Sequence, residues 1–437
     1  DGPVFDRYVA SFDGAATKRS LKLTENQSML LAVAWVTDEE NLLMQMFPEV
    51  WFMDVTSGTN KEGRGLFLVA GKDSNNNAFT GVRIFLPSEQ LWVFDWIFRD
   101  CLPNLLGREL VQRNRLCVTD GDPQMYGPLR VLQQAKEVWW GTHVLCEWHL
   151  LVVGWHESVS SFIPSDTESK NLGLCAYNWI QMWFWGIETM DEFEFSISNF
   201  WMWLEATDDY HPVFVHAKNK IRDFVLKSLL PKREYWLRSY RLHQLSFDAK
   251  TTSVVEGQNS ALKDGTFEAA SNFSISKAVE VMLQNSSVTH SIKKCLRASD
   301  VCSTPLWSSS GMAGTLTSFA EMIVASNFDR SKNYVGFLKA KRSWVVLQKK
   351  HLHVEQGSPS TVIPTFKRCH EVHVAQDNYL CCDCGFFDRM LLPCVHVLYV
   401  LGELTPLMCH IRWHKKYMFH YGKCDTVTAA LKRLAMD

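Results

Sequence analysis

With 437 residues, 46% of them hydrophobic and 21% charged, the chain can fill two or three compact cores and is a poor match to disorder or coiled coil. Its 45 basic and 47 acidic residues sum to a net charge of -2, which excludes a uniformly basic nucleic-acid binder but leaves room for local basic strips beside an acidic centre. The 13 cysteines are odd in number and irregularly spaced, which excludes a secreted disulfide scaffold; Cys101, Cys117, Cys146 and Cys175 sit among apolar neighbours and read as buried thiols of a reducing compartment.

The longest clean apolar run, Met29 to Val36, is far shorter than the ~20 residues that cross a bilayer. No signal peptide opens the chain, and its start at Asp1 rather than Met reads as that of a trimmed or excised domain. Residues 1–47 form a lead-in segment whose helix starts at Thr37, with Glu40 as capping partner, carries Leu42, Leu43, Met44 and Met46, and stops at Pro48. Three strand-like runs follow. Val50 to Val55 is apolar except for Asp54, and Gly65 to Gly71 and Ala78 to Leu86 flank the turn cluster Asp73 to Asn77, giving an antiparallel meander. A helix opened by Pro87 places Leu91, Phe94, Ile97 and Phe98 on one face and ends near Pro103. Arg115 to Thr119 is a fourth strand, closed by Asp120-Gly121-Asp122-Pro123. A helix to about Glu137 and a fifth strand near His143 to Leu145 complete the series. This β-β-β-α-β-α-β order over 48–150 predicts an α/β fold of ribonuclease-H-like topology, a mixed sheet between helices.

From 151 to 247 the tryptophans Trp155, Trp179, Trp183, Trp185, Trp201, Trp203 and Trp236 recur at helical spacing, which predicts an all-helical insertion with most of them in its core. Residues 248–300 read as helical and closing the α/β core, and 301–359 as a linker region, a loop over 301–316 and then helix followed by strand over 317–352. Residues 360–402 form a cysteine- and histidine-dense finger, and 403–437 a basic, aromatic tail.

The densest chemical signal is Cys382-Asp-Cys384, nine residues, then Cys394-Val-His396. Three thiols and an imidazole are what a closed tetrahedral zinc site needs, and Pro393 bends the chain toward the second pair. Cys381, which makes a Cys-x-x-Cys with Cys384, is a competing ligand; chance clustering of buried thiols and a plain folding staple are the bland alternatives. A second constellation is acidic. Asp54 interrupts the first strand and Asp120 ends the fourth, neighbours in the inferred sheet, so the two carboxylates stand together as hard donors for Mg²⁺ or Mn²⁺. Asp122 competes, although its place before Pro123 suits a helix-opening turn. A third carboxylate, Glu256, lies in Thr251-Thr-Ser-Val-Val-Glu-Gly-Gln-Asn259; spacing alone does not mark it out.

Taken in order, Asp54-Val-Thr56 with Asn60, Val-Thr-Asp120, Cys146-Glu-Trp-His149, the Glu256-x-x-Asn259 segment, the Cys-x-Cys and Cys-x-His pairs and the tail Ile411 to Tyr417 resemble a Mutator-like element transposase with a C-terminal SWIM zinc finger. Far-red-impaired-response regulators are domesticated relatives of that family. The resemblance implies a DDE nuclease and strand transferase, with Asp54, Asp120 and Glu256 holding two Mg²⁺ or Mn²⁺ ions, Cys382, Cys384, Cys394 and His396 holding Zn²⁺, and Cys146 and His149 matching the family's Cys-x-x-His, whose other reading is a core thiol and a hydrogen-bonded imidazole. It further implies double-stranded DNA as partner, a homodimer or higher oligomer that joins two ends, nuclear location, and no membrane or small-molecule substrate. The family's usual N-terminal DNA-binding zinc domain has no counterpart here, so recognition of specific ends is expected outside this chain. The alternative reading is a non-catalytic, transposase-derived DNA-binding transcription regulator. Phosphate contacts are expected from Lys339, Lys341 and Arg342, and from Arg412, Lys415 and Lys416.

Overall fold

The computed structural model describes residues 32–136, 138–139, 141–206, 212–249, 251–252, 255, 273–284, 315–351, 368–374, 380–403, 405, 408–415 and 417. They fold as mixed α/β in two compact units: one draws on 1–143 and 251–303, the other on 144–250 and 304–430. No helix among the described residues is long and apolar enough to cross a membrane.

The first unit is built on a mixed sheet of six strands in the order β1-β4-β3-β2-β5-β6, formed by β1 (Val33–Trp35), β2 (Val50–Thr56), β3 (Leu66–Lys72), β4 (Ala78–Phe85), β5 (Leu116–Thr119) and β6 (Thr142–Leu145). The near-continuous apolar runs Trp51 to Met53 and Leu66 to Ala70 are fully buried, as strands covered on both faces require. β2 to β4 make the expected antiparallel meander, and β2 pairs with β5 in parallel. β1, inside the segment expected as helical lead-in, is an added edge strand pairing with β4 from Val33↔Phe85 to Trp35↔Arg83. Three residues are too few for an alternating pattern to register in the sequence.

The helix Asp38–Met46 has the capping box read from Thr37 and Glu40, and Glu40 also forms a buried 2.8 Å ion pair with Arg83 of β4. The helix starting at Leu91 runs past Pro103 to Leu106, through a wide π-turn over Ile97–Cys101. Proline removes one N–H and crowds the carbonyl four residues back, and the widened turn ahead of it relieves both. Leu91, expected on the buried face, is 53% exposed, and Val93 takes its place in the core.

One buried side chain ties the two central strands together. Asn114, fully buried, donates from Nδ2 to the carbonyls of Pro48, Glu49 and Leu116 at 3.1–3.4 Å, and its Oδ1 meets the Cys117 thiol at 3.0 Å. The backbone N–H groups of Arg115 and Leu116 both donate to the Glu49 carbonyl. The parallel register therefore starts from a hydrogen-bonded anchor: Val50↔Leu116, Trp51↔Cys117, Phe52↔Val118.

In the second unit, the described elements from Trp148 to Arg241 are helices or helical turns, chiefly Thr167–Trp185, Met190–Ala206 and Pro212–Asp223. Trp179, Trp183 and Trp236 are fully buried; Trp183 donates to Ser196 Oγ at 2.8 Å, and Trp236 stacks on Phe184 at 4.4 Å. They are core residues. Beyond the helix Ser318–Ser331, β7 (Tyr334–Ala340), β8 (Ser343–Gln348), β9 (Cys369–Val374) and β10 (Leu380–Cys382) make an antiparallel sheet in the order β10-β9-β8-β7. The stretch 317–352, expected as helix and then strand, is the helix Ser318–Ser331 followed by β7 and β8, which join the same sheet as β9 and β10. Tyr334-Val-Gly-Phe-Leu and Ser343-Trp-Val-Val-Leu have strand propensity, and Arg342 at φ 74° makes the turn between them.

Two expectations follow. Asn114→Ala should leave the fold recognisable by circular dichroism but lower its stability in urea by about 2–3 kcal/mol, since buried partners lose their donor. His143 is buried, bonded through Nε2 to Thr119 Oγ1 at 2.8 Å, and burial together with Arg130 pushes its pKa down to about 3. The unfolded chain takes up this proton below about 6.5 and the folded chain resists it, so stability is full above that pH and falls as pH drops toward 3. In His143→Gln, urea unfolding measured between those pH values should show a shallower acid slope than wild type.

Candidate metal centres

Cys382 ends β10, Cys384 follows in the tight turn, Cys394 caps the helix Val395–Leu401, and His396 lies in that helix's first turn. Gly385 makes the exit possible: at φ 64° it sits so close to the Leu242 carbonyl that an added Cβ would be 2.1 Å from the oxygen. The three Sγ atoms and one imidazole nitrogen all lie within 4.8 Å of one another, and Cys382 Sγ is 3.5 Å from His396 Nδ1. A tetrahedral ion with Zn–S of about 2.3 Å and Zn–N of about 2.0 Å separates its donors by about 3.5–3.8 Å, so the cluster could hold a zinc ion with little movement. Among the described residues it is the one group of three or more such donors this close together. Cys381, the competing ligand, is exposed and outside the cluster, since adjacent strand residues face opposite ways.

The thiols already share charge. Sulfur contacts with Cys384 and Cys394 push the Cys382 thiol up, while Cys382, Cys384 and the N–H groups of Val397 and His396 pull Cys394 well below the usual thiol range. Around the ligands, His370 packs on the His396 ring at 4.3 Å and Tyr334 meets it edge-on at 5.0 Å. His370 Nδ1 is 3.0 Å from Asp383, and although burial works against its charged form, Asp383 and the Cys384 charge raise its pKa overall. Neither His370 nor Tyr334 belongs to the Cys/His spacing that marks the ligands in sequence. Among the described residues, Tyr334, Val346, Val372, Cys384, Cys394, Val395 and Val397 form this sheet's buried cluster, with Trp344, Phe386 and Tyr399 among the half-buried side chains packed against it. So small a core gains most from a metal crosslink.

In the first unit, β2 and β5 pair in parallel up to Phe52↔Val118, and two residues further along each strand stand Asp54 and Asp120. Asp54 is buried and accepts from the Val55 N–H at 2.9 Å; half-buried Asp120 accepts from the Asp122 N–H at 3.0 Å. Asp122 itself caps the helix Pro123–Ala135 through the Gln124 N–H. Glu89, which sequence reasoning passed over, belongs to the neighbourhood: burial first, then the charges of Asp122 and Asp120, raise its pKa. Asn60 closes the turn after β2, bonding the Arg64 N–H and carbonyl at 3.0 and 2.6 Å. Glu256 lies outside the described residues.

Cys146 is buried and His149 half-buried against Trp148, and neither joins a metal-donor group among the described residues. The residue between them that is held hardest is Glu147, at 2.7 Å from Arg241 and 2.8 Å from the Trp185 indole N–H. Of the expected phosphate contacts, Lys339, Lys341 and Arg342 are exposed around the β7–β8 turn, with Lys339 paired to Glu371. Arg412 and Lys415 correct the expectation: at 2% and 3% exposure they are buried, the Arg412 guanidinium lying over the Phe247 ring at 4.1 Å. Trp413 beside it anchors the tail, donating to the Met390 carbonyl at 2.7 Å. Lys416 lies outside the described residues.

No protein-family model and no curated protein matches the chain. The Cys/His cluster carries its own test. Cys394→Ser should lose the zinc that wild type retains through dialysis, measured by atomic emission, and should lower the melting temperature; unchanged metal content would exclude this ligand set.

Proposed function

We propose that the chain is a divalent-metal-dependent DNA nuclease and strand transferase of the Mutator-like transposase kind, with a zinc-bound SWIM-type finger. The observation that carries this reading is that Asp54 of β2 and Asp120, just past the end of β5, each lie two residues beyond the last paired residues of these adjoining parallel strands, Asp54 being buried in an otherwise apolar strand. A carboxylate in such a place needs hydrogen bonds, opposite charge or a metal ion to offset its desolvation, and a metal is the offset that a paired Asp120 suits. The strand order supports a ribonuclease-H-like core: counted from β2, the sheet runs third, second, first, fourth, fifth, with the first three antiparallel and the fourth parallel to the first.

The carboxylate donor set suits a hard cation, and Asp54, Asp120 and Glu256 would hold Mg²⁺ or Mn²⁺. When bound, the metal lowers the pKa of the attacking water or 3′-hydroxyl and neutralises charge at the phosphate. The protein's own part is orientation. The Val55 and Asp122 N–H groups aim the Asp54 and Asp120 carboxylates, and the Asn114 anchor holds their strands in register. Glu89 adds negative potential, which favours cation uptake. The exposed Lys339, Lys341 and Arg342 supply phosphate contacts to double-stranded DNA. Pairing of two DNA ends calls for a second copy of the chain, and the substrate places the protein in the nucleus.

Purified protein with supercoiled plasmid and Mn²⁺ or Mg²⁺ should yield nicked circles, with Asp54→Asn, Asp120→Asn and Glu256→Gln each at least about 100-fold slower. Equal nicking by wild type and all three variants would refute the assignment.

A further inference from the structure

A cavity of about 370 Å³ opens beside the zinc ligands, with Cys384, Cys394 and His396 in one wall. Its remaining walls include Arg238, Arg330, Arg368 and Arg389, with Glu188 the one acidic residue among those that line it. These arginines come from separate pieces of the second unit: the short helix Arg238–Arg241, the helix Ser318–Ser331, the residue before β9, and the helix Phe386–Met390. A merely solvated basic face would have come from one element and projected outward. Here the chain converges on a concavity.

Counter-charge covers part of the cluster. Arg238 lies 2.8 Å from Glu188, Arg368 lies 3.1 Å from the same carboxylate, and Arg368 also reaches Glu192 at 3.0 Å. Arg389 donates to the carbonyls of Leu242 and Cys384 at 2.9 and 3.3 Å, bonds that fix the group without neutralising it. Arg330 has no side-chain partner among the described residues. Zinc held by three thiolates and a neutral imidazole carries one negative charge, and together with Glu188 and Glu192 it still leaves the four guanidiniums in surplus. Burial pulls the Arg238 pKa down, Glu188 opposes that, and the charges of Arg389 and Arg368 reinforce it. An anion entering the cavity would relieve that crowding.

Guanidinium forks match phosphate oxygens, and a phosphate monoester, with about 1.5 to 2 negative charges at neutral pH, suits a multiple-arginine site better than the single charge of a diester. Phe386, half-buried, adds aromatic surface to the same cavity, on which a base can rest. We propose that this cavity binds the phosphate monoester of a nucleotide, either a free mononucleotide or the 5′-phosphate end of a strand, with Arg330 and Arg389 making the first contacts. The site stands independently of the acidic residues of the first unit.

The test uses the zinc-loaded full chain and fluorescence anisotropy with one short single-stranded oligonucleotide in two forms, 5′-phosphorylated and 5′-hydroxyl. The phosphorylated strand should bind about tenfold tighter, and inorganic phosphate should compete for the difference. Competition by adenosine 5′-monophosphate, with adenosine inert, assigns the site to free nucleotides; competition only by phosphorylated strands assigns it to strand ends. Arg330→Ala, on an exposed helix position, should abolish the preference while leaving zinc content and 5′-hydroxyl binding unchanged, Arg330→Lys should keep part of it, and Arg389→Lys should weaken it. Equal binding of the two strands by wild type, a preference that survives Arg330→Ala, or tighter binding of a phosphoserine peptide than of any nucleotide would overturn the proposal.

Discussion

Much of the first unit depends on how β2 and β5 are locked side by side. Asn114 sits where both strands begin and spends its amide on the carbonyls of Pro48, Glu49 and Leu116. In a parallel ladder, register fixed at one end is register fixed at the other. A slip of one residue would turn Asp54 to the opposite face and exchange the buried faces that Trp51 and Phe52 fill, so the apolar packing and the position of Asp54 opposite β5 are held by the same constraint.

The second unit solves a different problem. Its helical part is filled with aromatic rings, Trp179, Trp183, Phe184, Phe200 and Trp236 among them. The four-stranded sheet has only a small buried cluster, and two of its members, Cys384 and Cys394, are zinc-ligand candidates. Candidate ligands and core therefore coincide, and a zinc ion bound there would crosslink the sheet.

Much of this was legible in the sequence, for physical reasons. Long apolar runs set off by turn residues gave away β2 to β4, the Thr37–Glu40 box is a local signal, and Cys382, Cys384, Cys394 and His396 announce themselves by spacing. What escaped depends on contacts distant in the chain. Nothing local marks Asn114 as an anchor, Glu89 as a neighbour of Asp120, or Glu147 as the partner of Arg241. The tail misled for a related reason: Arg412 and Lys415 carry the composition of a basic surface, yet aromatic stacking on Phe247 and the burial of Trp413 draw that segment inward. Over 317–352 the order helix then strand is legible, but the pairing of β8 with β9 is not, because β9 lies beyond a long intervening stretch.

The central claim is that Asp54 and Asp120 share a divalent cation. Titration of the zinc-loaded protein with Mn²⁺, followed by electron paramagnetic resonance of the free ion, measures it without relying on catalysis. The account predicts tight Mn²⁺ uptake by wild type and by Asp122→Asn, whose carboxylate caps a helix, and its loss in Asp54→Asn and Asp120→Asn. Equal uptake by all four proteins, or none by wild type, would contradict it.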